Sequence, residues 1–98
     1  MVIGTGIIIL RIHDCRSLKD KRKVVKSIIS RLRNSFNVSV AEVGANEIYQ
    51  RAEIGFSLVG NDRQIINSKI DKIFNMVEKI GLAEVIDTDM EIINIYYE

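Results

Sequence analysis

The chain has 98 residues, of which 47% are hydrophobic and 28% charged, with one cysteine, no proline and a formal net charge of +1. That length bounds it to a single domain over residues 1–98, able to remove roughly two-thirds of its unfolded surface from water, and the composition excludes a disordered polypeptide. The lone Cys15 excludes an internal disulfide and any paired-cysteine metal motif, and the apolar run 2–10 is shorter than the ~20 residues of a membrane helix and lacks signal-peptide flanks, so a cytoplasmic protein with no membrane partner is expected.

The first predicted element is a strand over Val2–His13, rich in Ile and Val and closed by the polar Asp14-Cys15-Arg16. Its even positions, Val2 to Ile12, are wholly apolar, and its odd positions, Ile3 to His13, are charged only at the end, so neither face looks fully solvated and the strand reads as central. Ser17 offers an N-cap, with Asp20 three residues later, and a helix follows. At helical spacing Leu18, Val24, Val25, Ile28, Ile29, Leu32 and Phe36 form an apolar stripe, while Lys19, Arg22, Lys23, Lys26 and Arg33 gather on a neighbouring flank. Asn37 ends the helix, and Val38–Val43 reads as a second strand before the polar connection 44–50. A third strand over Arg51–Val59 carries Ala52, Ile54, Phe56 and Leu58 on one face. Gly60-Asn61-Asp62 turns into a second helix with Ile66, Ile70, Ile73, Val77 and Ile80 at helical spacing and Gly81 at its C-terminal cap. Met90–Tyr97 is the last expected strand.

The order β-α-β-β-α-β predicts an α+β, ferredoxin-like sandwich: a four-stranded antiparallel sheet in the order 4-1-3-2 with two helices on one face. In that topology the end of strand 1, the start of helix 1, the 44–50 connection and the start of strand 4 share one pole. His13, Cys15, Arg16, Ser17, Lys19 and Lys21 are then expected beside Glu42, Glu47, Tyr49, Gln50 and Arg51, with Asp87 and Asp89 close by. Charge is unevenly spread along the chain: residues 1–35 carry nine basic against two acidic side chains, and the remainder five against eleven. Such a division fits a basic surface for nucleic acid, or two faces that neutralise each other within one copy or across two.

Three segments taken together, Ser17-Leu18-Lys19-Asp20-Lys21-Arg22, Phe36 to Val43 and Gln50-Arg51-Ala52-Glu53-Ile54-Gly55, resemble the YlxP-like proteins, a bacterial family of unknown function. The resemblance covers essentially the whole chain and implies a ferredoxin-like fold. Genes of that family commonly sit beside those of translation and ribosome-maturation factors, which implies a connection to RNA or the ribosome. Where the family often has Asp and Trp in the central connection, this chain has Glu47 and Tyr49.

Cations massed where a helix begins are electrostatically unfavourable unless an anion answers them, because the helix N-terminus is itself positive. The candidate phosphate contacts are Arg16, Lys19, Lys21, Arg22, Lys23, Lys26 and Arg33, with Tyr49 or Gln50 for a local contact; the bland alternative is a solvated flank. Lys21 lies off the basic flank and is expected to reach Glu42 as a structural ion pair. Strand 3 lacks the basic-Gly-aromatic pattern of an RNA-recognition motif and strand 1 has no aromatic, so RNA would be held by backbone and shape. His13 and Cys15 are too few for a zinc shell, no nucleophile elbow is present, and the glycine-containing anion cradle of acylphosphatases is replaced by Asp14-Cys15-Arg16, so no metal, cofactor or enzymatic activity is expected. Gly4-Thr5-Gly6 precedes a strand rather than a helix and reads as a close-packing site.

On the second face of the sheet, Ile3, Ile7, Ile9 and Val59, joined by either Ile93 and Ile95 or Met90 and Ile92, form an apolar patch for a homodimer. The leading functional expectation is a non-enzymatic module that contacts RNA or a ribosomal particle. Its rivals are a dimeric protein-interaction module using the mixed-charge pole and a small-molecule regulatory domain.

Overall fold

A computed structural model describes residues 1–96. It consists of β1 (Val2–Arg11), α1 (Leu18–Ser35), β2 (Ser39–Gly44), β3 (Arg51–Gly60), α2 (Arg63–Ile80) and β4 (Glu84–Asn94). The strands form one antiparallel sheet in the order β2-β3-β1-β4, with both helices on one face, as the ferredoxin-like reading requires. β1 is central, paired along its full length with β3 on one side and β4 on the other. Its even residues turn to the helices, where Ile8, Leu10 and Ile12 are buried beside Ala52, Ile54, Phe56 and Leu58 of β3. Val25, Ile28 and Leu32 of α1 and Ile66, Ile70, Ile73 and Val77 of α2 close the core.

The local signals act as their chemistry demands. Ser17 is extended and its Oγ accepts a hydrogen bond from the Asp20 backbone N–H, satisfying one orphan donor of α1. Asp62 does the same for α2 through Gln64 and Ile65. Gly81 ends α2 at φ 70°, the left-handed conformation that glycine adopts without a Cβ clash.

The glycines of β1 are close-packing positions. A Cβ at Gly4 would lie 2.5 Å from Ile66 Cγ2, so the glycine lets α2 approach the strand, and the Phe56 ring rests on Gly6, its cross-strand neighbour. That ring meets Phe74 of α2 edge-on, with centroids 5.7 Å apart.

β4 corrects the expected strand Met90–Tyr97, whose final residue lies outside the described residues. The strand begins at Glu84, six residues earlier, with a register shift opposite Ile9 and Leu10 of β1. Asp87 and Asp89 are poor strand formers, but the whole length of β1 offers them ladder partners and their edge position leaves their side chains in water. The cross-strand pairs also resolve the face of β4: Ile93 lies beside Ile3 on the uncovered face, whereas Met90 and Ile92 belong with the helix side.

Replacing Gly6 with valine drives a side chain into the Phe56 ring; a loss of about 1–3 kcal/mol is expected, read as a lower urea midpoint with the far-ultraviolet circular dichroism retained.

Candidate nucleic-acid interface

The pole at the start of α1 is assembled by a lysine. Lys21 is only 1% exposed, and at 100° per residue it sits in the middle of the sector that Val25, Ile28 and Leu32 bury. Its Nζ stands 2.9 Å from Glu42 Oε2 on β2 and donates a hydrogen bond to the Ala45 carbonyl. The contact with Glu42 is an ion pair without hydrogen-bond geometry, since Oε2 has no hydrogen-bond partner. The expected Lys21–Glu42 pair is therefore present, and Lys21 leaves the set of phosphate contacts: its ammonium is buried and taken.

Two residues of this pole, Asp14 (φ 59°) and Ala45 (φ 57°), hold left-handed backbone that L side chains seldom adopt. Each belongs to a loop tied down by hydrogen bonds. Gln50 Nε2 donates to the Cys15 carbonyl at 2.9 Å, and the Ile12 N–H donates to the Gln50 carbonyl at the same distance, joining the loop before α1 to the connection before β3. Gln50 thus has a structural task in the place where a ligand contact was expected. Tyr49, beside it, keeps its side chain 42% exposed. Cys15 is buried with its thiol directed at the Ser17 carbonyl, 3.4 Å away, so it is not presented to solvent.

The earlier start of β4 rearranges the acids. Asp87 and Asp89 lie opposite Ile9 and Ile7, well inside the sheet rather than at the pole. Glu84, which the sequence reading did not single out, takes the polar end and accepts a hydrogen bond from His13 Nε2 at 2.8 Å. That bond, opposed by desolvation and helped by lesser attraction from the His13 and Arg11 charges, holds the Glu84 carboxyl below its ordinary value. The only signal for this residue was its charge, and its position depended on the register of β4.

The basic flank of α1 is free of carboxylates. At 100° per residue, Lys19, Arg22, Lys23, Lys26 and Arg33 fill a sector about 100° wide, and the sole other helical residue within it is Ser30. All five are exposed, as is Arg16 just ahead of the helix. Among the described residues the ion pairs are His13–Glu84, Lys21–Glu42 and Arg51–Glu53, so none of the stripe's cations has an acidic partner. Arg33 alone is partly engaged, donating from Nη2 to the Val40 carbonyl at 3.0 Å. Along the stripe's inner margin, α1 and edge strand β2 enclose an open groove of about 470 Å³ with Arg22, Lys26 and Arg33 on its rim, Val25, Ile29 and Val40 in its wall, and the Glu42 carboxylate, paired with Lys21, on its β2 side. Charged rim and aliphatic wall can hold anionic groups by electrostatics but provide no ring on which a base could stack.

Residues 3–90 match the family model described as "Protein of unknown function (DUF503)". The chain belongs to this family. The uncharacterized protein YlxP of Bacillus subtilis (strain 168) is 34% identical over 73 residues, which cover 74% of this chain and 79% of that protein. Both findings agree with the YlxP-like resemblance carried by the segments around Lys19, Val40 and Arg51. Among solved structures, the de novo designed protein Foldit4 superposes with a TM-score of 0.53, covering 98% of this chain and 100% of that one at 14% identity, a likeness of fold alone. No helix is long and apolar enough to cross a membrane among the described residues, and no cluster of three or more metal-ligating side chains occurs there.

Two measurements probe the pole. Lys21→Met strands the Glu42 carboxylate and is expected to lose about 3 kcal/mol in urea unfolding, whereas the double variant Lys21→Met/Glu42→Leu recovers most of the loss because both charges leave together. The Glu84 carboxyl titrates lower in the folded than in the unfolded chain, so its stabilisation is in place above the ordinary carboxylate range and disappears as pH falls through the lowered value. Glu84→Gln removes that part of the acid dependence, and pH-dependent melting is expected to be correspondingly flatter on the acid side.

Proposed function

We propose that this family member is a non-enzymatic module that docks on RNA, free or within a ribosomal particle, through the basic flank of α1. The observation that carries the reading is the carboxylate-free sector of Lys19, Arg22, Lys23, Lys26 and Arg33, exposed and without acidic partners among the described residues. An unneutralised row of cations on one helix gives phosphate a favourable potential along roughly 20 Å, the rise from Lys19 to Arg33. Arg16 extends the row beyond the helix start, and Tyr49 lies at the same end for a local contact.

The mechanism is electrostatic docking. Cations held on a rigid helix replace the counterions of the phosphate backbone, and the released ions supply the driving force. The uncovered face of the sheet presents no aromatic side chain among the described residues, so base stacking of the RNA-recognition-motif kind has no platform there.

With about five phosphates engaged, log affinity for ribosomal RNA fragments is expected to fall with log salt at a slope of roughly −3.5 to −4.5. Lys19→Ala/Lys23→Ala should make that slope shallower by about 1.5 while leaving the urea midpoint unchanged. Filter binding or fluorescence anisotropy reads both quantities, and an absence of salt-sensitive retention defeats the proposal. Capture of a protein from native lysate that survives nuclease and is lost in the same double variant would instead support the protein-interaction reading.

A further inference from the structure

The helices leave one face of the sheet uncovered, and that face is not built for water. Ile7, Val43, Val59 and Ile93 are exposed there by 44%, 57%, 64% and 41%, with Ile3 and Ile9 half-buried between them. The cross-strand pairs arrange the face in rows. Val59, Ile3 and Ile93 form one apolar row, Gly55, Ile7 and Asp89 a second, and Arg51, Arg11 and Glu84 a charged row at the far end. The acids of the face, apart from Glu53, lie along edge strand β4.

We propose that a second copy of this chain covers this face, sheet against sheet, on a two-fold axis running parallel to the strands between β1 and β3. The four strands lie about 4.8 Å apart, three of them ten or eleven residues long and β2 six, and present enough surface to bury about 1,000–1,200 Å² over both copies, at the lower bound for a specific dimer. Charge and shape choose the axis. With the axis along the strands, β4 of each copy lies over β2 of its mate, whose residues on this face, Ser39, Ala41 and Val43, are uncharged. Each β1 residue then faces the mate's β3 in its own row: Ile3 meets Val59, and Ile7 stands over Gly55, which has no side chain. A trough of about 380 Å³ between Ile7 and Val43, floored by Gly6 and Gly55, receives that isoleucine. An axis across the strands would instead lay Asp89 on Asp89 and press the apolar row against Arg51, Arg11 and Glu84. Along the strands, Arg11 approaches the mate's Arg51 only at the sheet's end, where the ~30° packing angle splays the two sheets and Glu53 already neutralises Arg51 at 3.2 Å.

This assembly is a four-layer α/β/β/α sandwich with both α1 flanks facing outward, and it stands independently of the RNA reading. The area is modest, so dimerisation should depend on concentration in the micromolar range. Sedimentation equilibrium on the full chain is expected to show a two-copy mass that persists in high salt. Ile7→Lys and, separately, the more exposed Val59→Lys should each weaken association at least tenfold with unchanged circular dichroism and melting. Asp89→Asn should leave the dimer constant within about threefold, because along this axis the carboxylate meets no second acid. A monomer at every concentration, or a dimer indifferent to both apolar variants, overturns the proposal. A tenfold gain from Asp89→Asn overturns the axis by revealing acid stacked on acid.

Discussion

The buried ammonium of Lys21 sets the orientation on which the candidate interface depends. Moving that charge out of water costs several kcal/mol, offset by the Glu42 carboxylate on one side and the Ala45 carbonyl on another. Because Lys21 shares its sector with Val25, Ile28 and Leu32, seating it fixes the rotation of α1 about its own axis. The carboxylate-free stripe, centred about 140° away around the helix, must then face solvent. One lysine is spent inside so that its neighbours are held outside at fixed spacing.

The same contact joins pieces that are distant in the chain. Lys21 binds α1 to β2 and to the connection after it, Gln50 binds that connection to the loop at Cys15, and His13 reaches Glu84 at the start of β4. The pole is therefore a knot of satisfied polar groups rather than an open pocket. Its loops adopt left-handed backbone at Asp14 and Ala45 because these tethers hold them there. The two surfaces proposed for partners, the flank of α1 and the uncovered sheet face, lie on opposite sides of the molecule. A partner on one leaves the other accessible.

Most of the fold could be read from patterns of period two and period 3.6. The alternation in β3, the apolar stripes of both helices, Ser17 and Gly81 all act over a few residues, and each sits where its spacing implied. The last strand could not be read so well, since 84–89 pairs only because β1 runs alongside it. Asp87 and Asp89, weak strand formers, interrupt the signal of Val85, Ile86 and Thr88, and they are held in the ladder by the backbone groups of a neighbour far off in sequence. The acids at the pole were misplaced for the same reason.

By itself the sequence determined the α+β topology, the family resemblance and the concentration of cations along one helix, because these rest on local spacing and composition. The tertiary structure decided which of those cations are available. Lys21 differs from Lys23 by nothing in its own chemistry; it is buried because the core sector of α1 lies over Glu42 when the layers pack. The faces and partners of Asp87, Asp89 and Glu84 were likewise settled by the register of β4 on β1, a long-range pairing that no local pattern encodes.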